Sequence, residues 1–80
     1  MAPYTVVEKL ESKAEYEKMH GRLDNVKALD EATDLYLELG ANGACQKFFE
    51  MLTDSTGKAR EAYEFAYQWL CHYTGTNNDL

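Results

Sequence analysis

The chain has 80 residues, 45% apolar and 28% charged, with 14 acids against 8 bases for a net charge of −6. That length suits a single domain, residues 1–80, with a small core, and the balance is that of a globular chain rather than a disordered one. With Arg22 and Arg60 as its two arginines, the chain lacks the clustered bases that direct nucleic-acid binding or an anionic membrane surface requires. A basic surface on another protein suits it better.

No apolar run approaches the roughly 20 residues of a membrane span. The opening "MAPYTVVEKLESK" mixes acids and lysines and has no basic stretch leading into an apolar one, so it does not read as a signal peptide. The expectation is a cytoplasmic protein with Cys45 and Cys71 reduced. On this reading a disulfide between them would require export.

Glycines at 21, 40, 43, 57 and 75 punctuate the chain into four pieces. The first, Tyr4 to His20, reads in two ways. Thr5–Glu8 and Ser12–Glu15 both have capping-box spacing. Val7, Leu10 and Ala14 recur at helical intervals among good helix formers, which favours one helix from about Val6 to His20. The β-branched Thr5-Val6-Val7 cluster keeps open a short strand, "YTVVEKL", with a helix after Ser12. Gly21 is the stop.

The second piece, Leu23 to Leu39, carries Leu29, Ala32, Leu35, Tyr36 and Leu39 at helical spacing. Asp24 or Asp30 is the candidate cap. Lys27, Asp30, Glu31, Asp34 and Glu38 form the opposite face, and Gly40 stands where a helix would end. Leu37 departs from the stripe, pointing towards the side of Thr33 and Asp30. In the third piece Asn42 is a candidate N-cap for a helix of about ten residues that carries Cys45, Phe48, Phe49 and Leu52. A buried strand, "KFFEML", is the alternative, because period alone does not assign so short a run.

The fourth piece contains "YEFAYQWLCHY", residues 63–73, with five of the chain's ten aromatic residues. Every second residue gives an aromatic strand face; every third or fourth gives a helix. The stretch between the candidate caps Asp54, Ser55 and Thr56 and the stop at Gly75 is far longer than a usual strand. It also holds Ala59, Ala62 and Ala66, which favour helix. On a helical wheel Ala59, Ala62, Tyr63, Phe65, Ala66, Tyr67, Trp69, Leu70 and Tyr73 fill one arc of roughly 200°. Glu61, Glu64, Gln68 and His72 lie opposite, and Arg60 and Cys71 lie on the border. The helix reading is therefore preferred. So wide an arc has two explanations. Either this helix is the centre of the fold, or the edge with Phe65 and Trp69 is left for a partner.

Chemistry-bearing constellations are sparse. His20, Cys45, Cys71 and His72 are the only Cys and His residues, and their spacing does not resemble a zinc site. The cysteines read as small packing residues, and His72 as a cation in a last helical turn. A Cys–His nucleophile would need them to meet in space. Asp30, Glu31, Asp34 and Glu38 read as a solvated face or a contact for a basic partner. "GANGA" at 40–44 lacks the Lys-Ser/Thr of a phosphate loop and reads as a turn between helices.

These readings converge on an all-α bundle of about four helices, with the C-terminal aromatic helix central. An α+β fold with a short N-terminal strand is the alternative. The function expected is that of a small acidic protein-binding module, neither an enzyme nor a cofactor or metal protein. It would occupy a surface of a larger protein through Phe65, Trp69, Leu37, Asp30, Glu31, Asp34 and Glu38. Size and charge, though no motif, fit the inhibitors that phages and mobile elements direct against host nucleic-acid-handling machinery, with the acidic face imitating a phosphate backbone. The second reading is a homodimer or larger homo-oligomer, a structural or adaptor protein joined through the aromatic arc.

Overall fold

The computed structural model describes residues 3–75. Three helices occupy them: α1 (Pro3–Met19), α2 (Leu23–Thr53) and α3 (Gly57–Thr74). No strand occurs among the described residues, so the all-α expectation holds and the strand readings of "YTVVEKL" and "KFFEML" do not. The helix count is three rather than four.

Pro3 stands at the first helical position of α1, where its missing N–H would have no partner in any case. Thr5 and Ser12 therefore lie inside the helix rather than capping it. Val6, Leu10, Ala14 and Glu17 share one buried stripe. Burial of this stripe outweighs the weak strand preference of the Thr5-Val6-Val7 cluster. The helix ends in a Schellman arrangement. The Gly21 N–H donates to the Lys18 carbonyl at 3.0 Å and the Arg22 N–H to the Glu17 carbonyl at 3.0 Å. Gly21 has φ 73°, which a residue with a Cβ would adopt only under strain.

At the start of α2, Arg22 occupies the cap position and forms no side-chain cap bond. Asp24 lies in the first turn, where a negative charge favours the helix dipole, and Asp30 lies well inside. The helix buries Ala28, Leu29, Ala32, Thr33 and Tyr36, then Ala44, Cys45, Phe48 and Leu52. Between these two sets Gly40 is non-helical, with φ 80° and ψ −178°. This glycine breaks the helical backbone where a stop was expected, and the two expected helices are the two arms, 23–39 and 41–53, of one kinked element. Asn42 accordingly lies within the second arm rather than at a cap. A Cβ at Gly43 would come within 2.9 Å of the Leu39 Cβ, so the backbone passes Leu39 too closely for a side chain there.

Thr56 is the N-cap residue of α3, in extended conformation and without a side-chain bond. Ser55 turns the other way and donates to the Met51 carbonyl at 2.8 Å. "YEFAYQWLCHY" is helical throughout. Within its wide arc, Ala62, Ala66 and Leu70 are buried, as is Cys71 at its border. Tyr63, Phe65, Tyr67, Trp69 and Tyr73 are half-buried, and Ala59 is exposed. The small residues let α3 approach closely and the aromatics close the two edges of the contact.

Both α1 and α3 pack along α2, and α3 reaches both of its arms, through Glu31 on the first and Phe48 and Cys45 on the second, whereas α1 and α3 meet over a much smaller area. Phe48, Leu10, Leu29, Leu70 and Val6 are the largest fully buried side chains, drawn from all three helices.

Candidate interaction surfaces

Burying one face of the first arm of α2 turns the other face to solvent. Asp30, Asp34, Leu37 and Glu38 all lie on that exposed face. At 1.5 Å of rise per residue they cover about 12 Å of helix. Leu37 is 65% exposed, and Leu23, two heptads earlier on the same side, is 65% exposed as well. Lys27 is the exposed base on this face. No ion pair or side-chain hydrogen bond holds Asp30, Asp34 or Glu38 among the described residues. Asp30–Asp34 and Asp34–Glu38 are like-charge pairs four residues apart, an arrangement that costs a helix about 0.2–0.5 kcal/mol per pair.

Glu31 behaves differently. It is half-buried and accepts the Tyr63 hydroxyl at 3.2 and 3.3 Å. Burial, followed by the Glu31 charge, raises the Tyr63 hydroxyl above its ordinary value. Glu31 therefore joins α2 to α3. Leu23 was missed at the sequence level, although its spacing of seven and fourteen residues from Asp30 and Leu37 could have revealed it.

Phe65 and Trp69 lie on the edge of α3 that faces α1. Their rings meet edge to face with centroids 6.5 Å apart, and Trp69 also contacts Tyr73 at 5.4 Å and His72 at 5.6 Å. The Lys13 ammonium sits over the Trp69 ring at 4.0 Å, and the Lys9 ammonium lies over Tyr73 at 5.8 Å. Much of this edge is thus covered by the chain's own lysines, whose stems pack along apolar surface while their charges meet the ring faces. Trp69 meets Lys13 of α1 and its neighbours along α3, and Phe65 meets Trp69. The acidic face and the aromatic edge are served by different elements and do not form one site.

A further acid was not anticipated. Glu17, 3% exposed, accepts the Arg22 guanidinium at 2.7 and 3.1 Å and the Asn25 amide at 2.9 Å. The Arg22 hydrogen bonds, opposed by burial and aided by Asn25, lower its carboxyl to about 2. Through its backbone and its side chain, Glu17 binds α1 to the start of α2. The sequence signal was its place on the stripe of Val6, Leu10 and Ala14, where an acid needs a partner.

The Cys–His nucleophile does not assemble. His20 packs against Tyr16, and His72 meets Trp69 edge to face and Tyr73 at a tilt, whereas Cys45 and Cys71 face each other, with Sγ atoms 3.5 Å apart. No group of three or more His, Cys, Asp or Glu side chains could hold a metal ion among the described residues. No helix there is long and apolar enough to cross a membrane. A small open cleft of about 290 Å³ lies between α2 and α3, floored by Ala28 and Ala62 and rimmed by Lys27, Glu31 and Lys58. It lacks the convergent polar groups of a small-molecule site.

Comparison with protein-family models, curated proteins and solved structures found no match to this chain.

Proposed function

We propose that the chain is a small acidic protein-binding module, without catalytic activity, that occupies a surface of a larger protein through the outer face of the first arm of α2. The observation that carries this reading is Leu37, 65% exposed and ringed by Asp30, Asp34 and Glu38 on a helix whose other face is fully packed. The like-charge pairs beside it cost the helix stability that no ion pair among the described residues offsets. As a contact it makes sense: the leucine supplies an apolar anchor and the acids supply complementarity to a basic surface, speeding encounter and fixing register.

The finer reading is a cytoplasmic inhibitor from a phage or mobile element that blocks a nucleic-acid-handling protein at its basic groove. Its support is the chain's size and its charge of −6. That charge is modest for a phosphate mimic, so shape and the leucines share the work. The second reading, a homo-oligomer, is favoured by the exposure of Leu23 and Leu37 together.

Binding to an immobilised wild-type chain, followed against salt, tests the proposal. The partner should be released as salt rises, and should be lost on Asp34→Lys with Glu38→Lys and on Leu37→Glu, while circular dichroism stays unchanged. Binding indifferent to all three substitutions would remove this face from the account. A stable dimer by light scattering, dissociated by Leu37→Glu, would establish the second reading instead.

A further inference from the structure

The two cysteines of the sequence come from different helices, 26 residues apart, and their Sγ atoms meet at 3.5 Å in the interior. Cys45 lies on the second arm of α2, beyond the Gly40 kink, and Cys71 on the last turns of α3. They are 8% and 5% exposed. No disulfide joins them. The Thr74 hydroxyl lies 3.8 Å from the Cys45 sulfur and also donates to the Leu70 carbonyl at 2.8 Å.

We propose that Cys45 and Cys71 form a thiol–disulfide site that closes when the chain meets a low-molecular-weight disulfide such as oxidised glutathione, fastening the second arm of α2 to α3. A disulfide bond is about 2.05 Å long, so the sulfurs must approach by about 1.5 Å from their 3.5 Å separation. In the first step one cysteine thiolate attacks a sulfur of the small disulfide, forming a mixed disulfide and releasing one small thiol. The second cysteine thiolate then attacks the protein sulfur of the mixed disulfide and expels the second small thiol. The protein loses two S–H bonds and gains one S–S bond, and the small disulfide is reduced to two thiols.

The fold determines what closure does. The arm beyond Gly40 is joined to the arm bearing Asp30, Asp34 and Leu37 through one non-helical residue. A covalent link at Cys45 anchors that arm to α3 independently of the kink. It also closes a long loop in the unfolded chain, which is where a disulfide of this span has its main effect. The site makes stability depend on the redox state of the surroundings: two packed thiols in a reducing compartment, a cross-link in an oxidising one.

The test refolds the full chain from urea in mixtures of reduced and oxidised glutathione, so that burial of the thiols does not limit access. Mass spectrometry then reads the products, and the same equilibrium is measured in urea. The folded chain should give one monomeric species lighter by two hydrogens. Its disulfide should be favoured over that of the unfolded chain by on the order of 100-fold. The melting temperature should rise by on the order of 10 °C and return on reduction. Cys45→Ala and Cys71→Ala, each measured against its own reduced form, should show no redox-dependent shift. Persistent thiols, a predominance of glutathione adducts or intermolecular dimers, or an oxidised chain that melts no higher than the reduced one would each overturn the proposal.

Discussion

Glu17, near the end of α1, and Glu38, just before the kink of α2, are the same side chain in opposite surroundings. Glu17 is buried, is held by Arg22 and Asn25, and has its carboxyl lowered to about 2. Glu38 is exposed and shares its face with Asp30 and Asp34. In a chain with 14 acids, helical wheels and net charge treat both alike. Partners separate them: an acid whose hydrogen bonds are met inside the fold is structural, and a cluster of acids with no internal partner is available to something outside.

The largest break in this contrast is Glu17→Ala. It removes the acceptor for Arg22 and Asn25 and should cost about 2–3 kcal/mol in urea unfolding, whereas Glu38→Ala should stay within about 0.5 kcal/mol. Equal effects would mean the buried acid is not structural. Acid sharpens the same contrast. The folded Glu17 carboxyl lies at about 2 against an ordinary 4.5, so its contribution is fully present above about pH 4.5 and is lost as the pH falls towards about 2. Glu17→Gln should unfold with a flatter pH dependence across that window. Parallel curves for variant and wild type would refute the assignment.

A smaller effect is expected at the other edge of the molecule. Lys13→Ala uncovers the face of Trp69 and should cost about 1 kcal/mol with a shift in tryptophan emission. An unchanged spectrum would mean that Lys13 does not cover the ring in solution. A change of similar size has the opposite sign. Asp34→Lys converts two repulsive four-residue pairs into attractive ones and should stabilise the fold by about 1 kcal/mol. A clear loss of stability would show the acidic face to be part of the fold's own support.

The sequence carried much of the architecture. The stripe of Leu29, Ala32 and Tyr36 is buried as its period requires, and "YEFAYQWLCHY" is helical because its alanines and leucine align at helical spacing. Other features depend on tertiary contact. A glycine signals a break, but whether Gly40 ends a helix or bends one depends on how the second arm packs. Leu39 was assigned to the core stripe and is half exposed, as it adjoins that kink. Thr33, placed off the core stripe on the side of Leu37, is buried with its hydroxyl donating to the Leu29 carbonyl at 3.0 Å. The aromatic arc was legible as wide. That Lys13 covers Trp69, and that Cys45 meets Cys71, are pairings between elements which spacing along one helix does not reveal. The acidic face lies within one helix, so the exposure of Asp30, Asp34 and Glu38 was legible from the period alone, whereas the bond of Glu31 to Tyr63 was not.

The most direct test of the central claim is site-specific photo-crosslinking from position 37 in cells that carry the protein, with the probe at Gln68, an exposed position on α3, as control. The account predicts a crosslink from position 37 to one larger protein, absent from position 68 and abolished by Asp34→Lys with Glu38→Lys. Equal crosslinking from both positions, or a product of twice the chain's own mass, would contradict it.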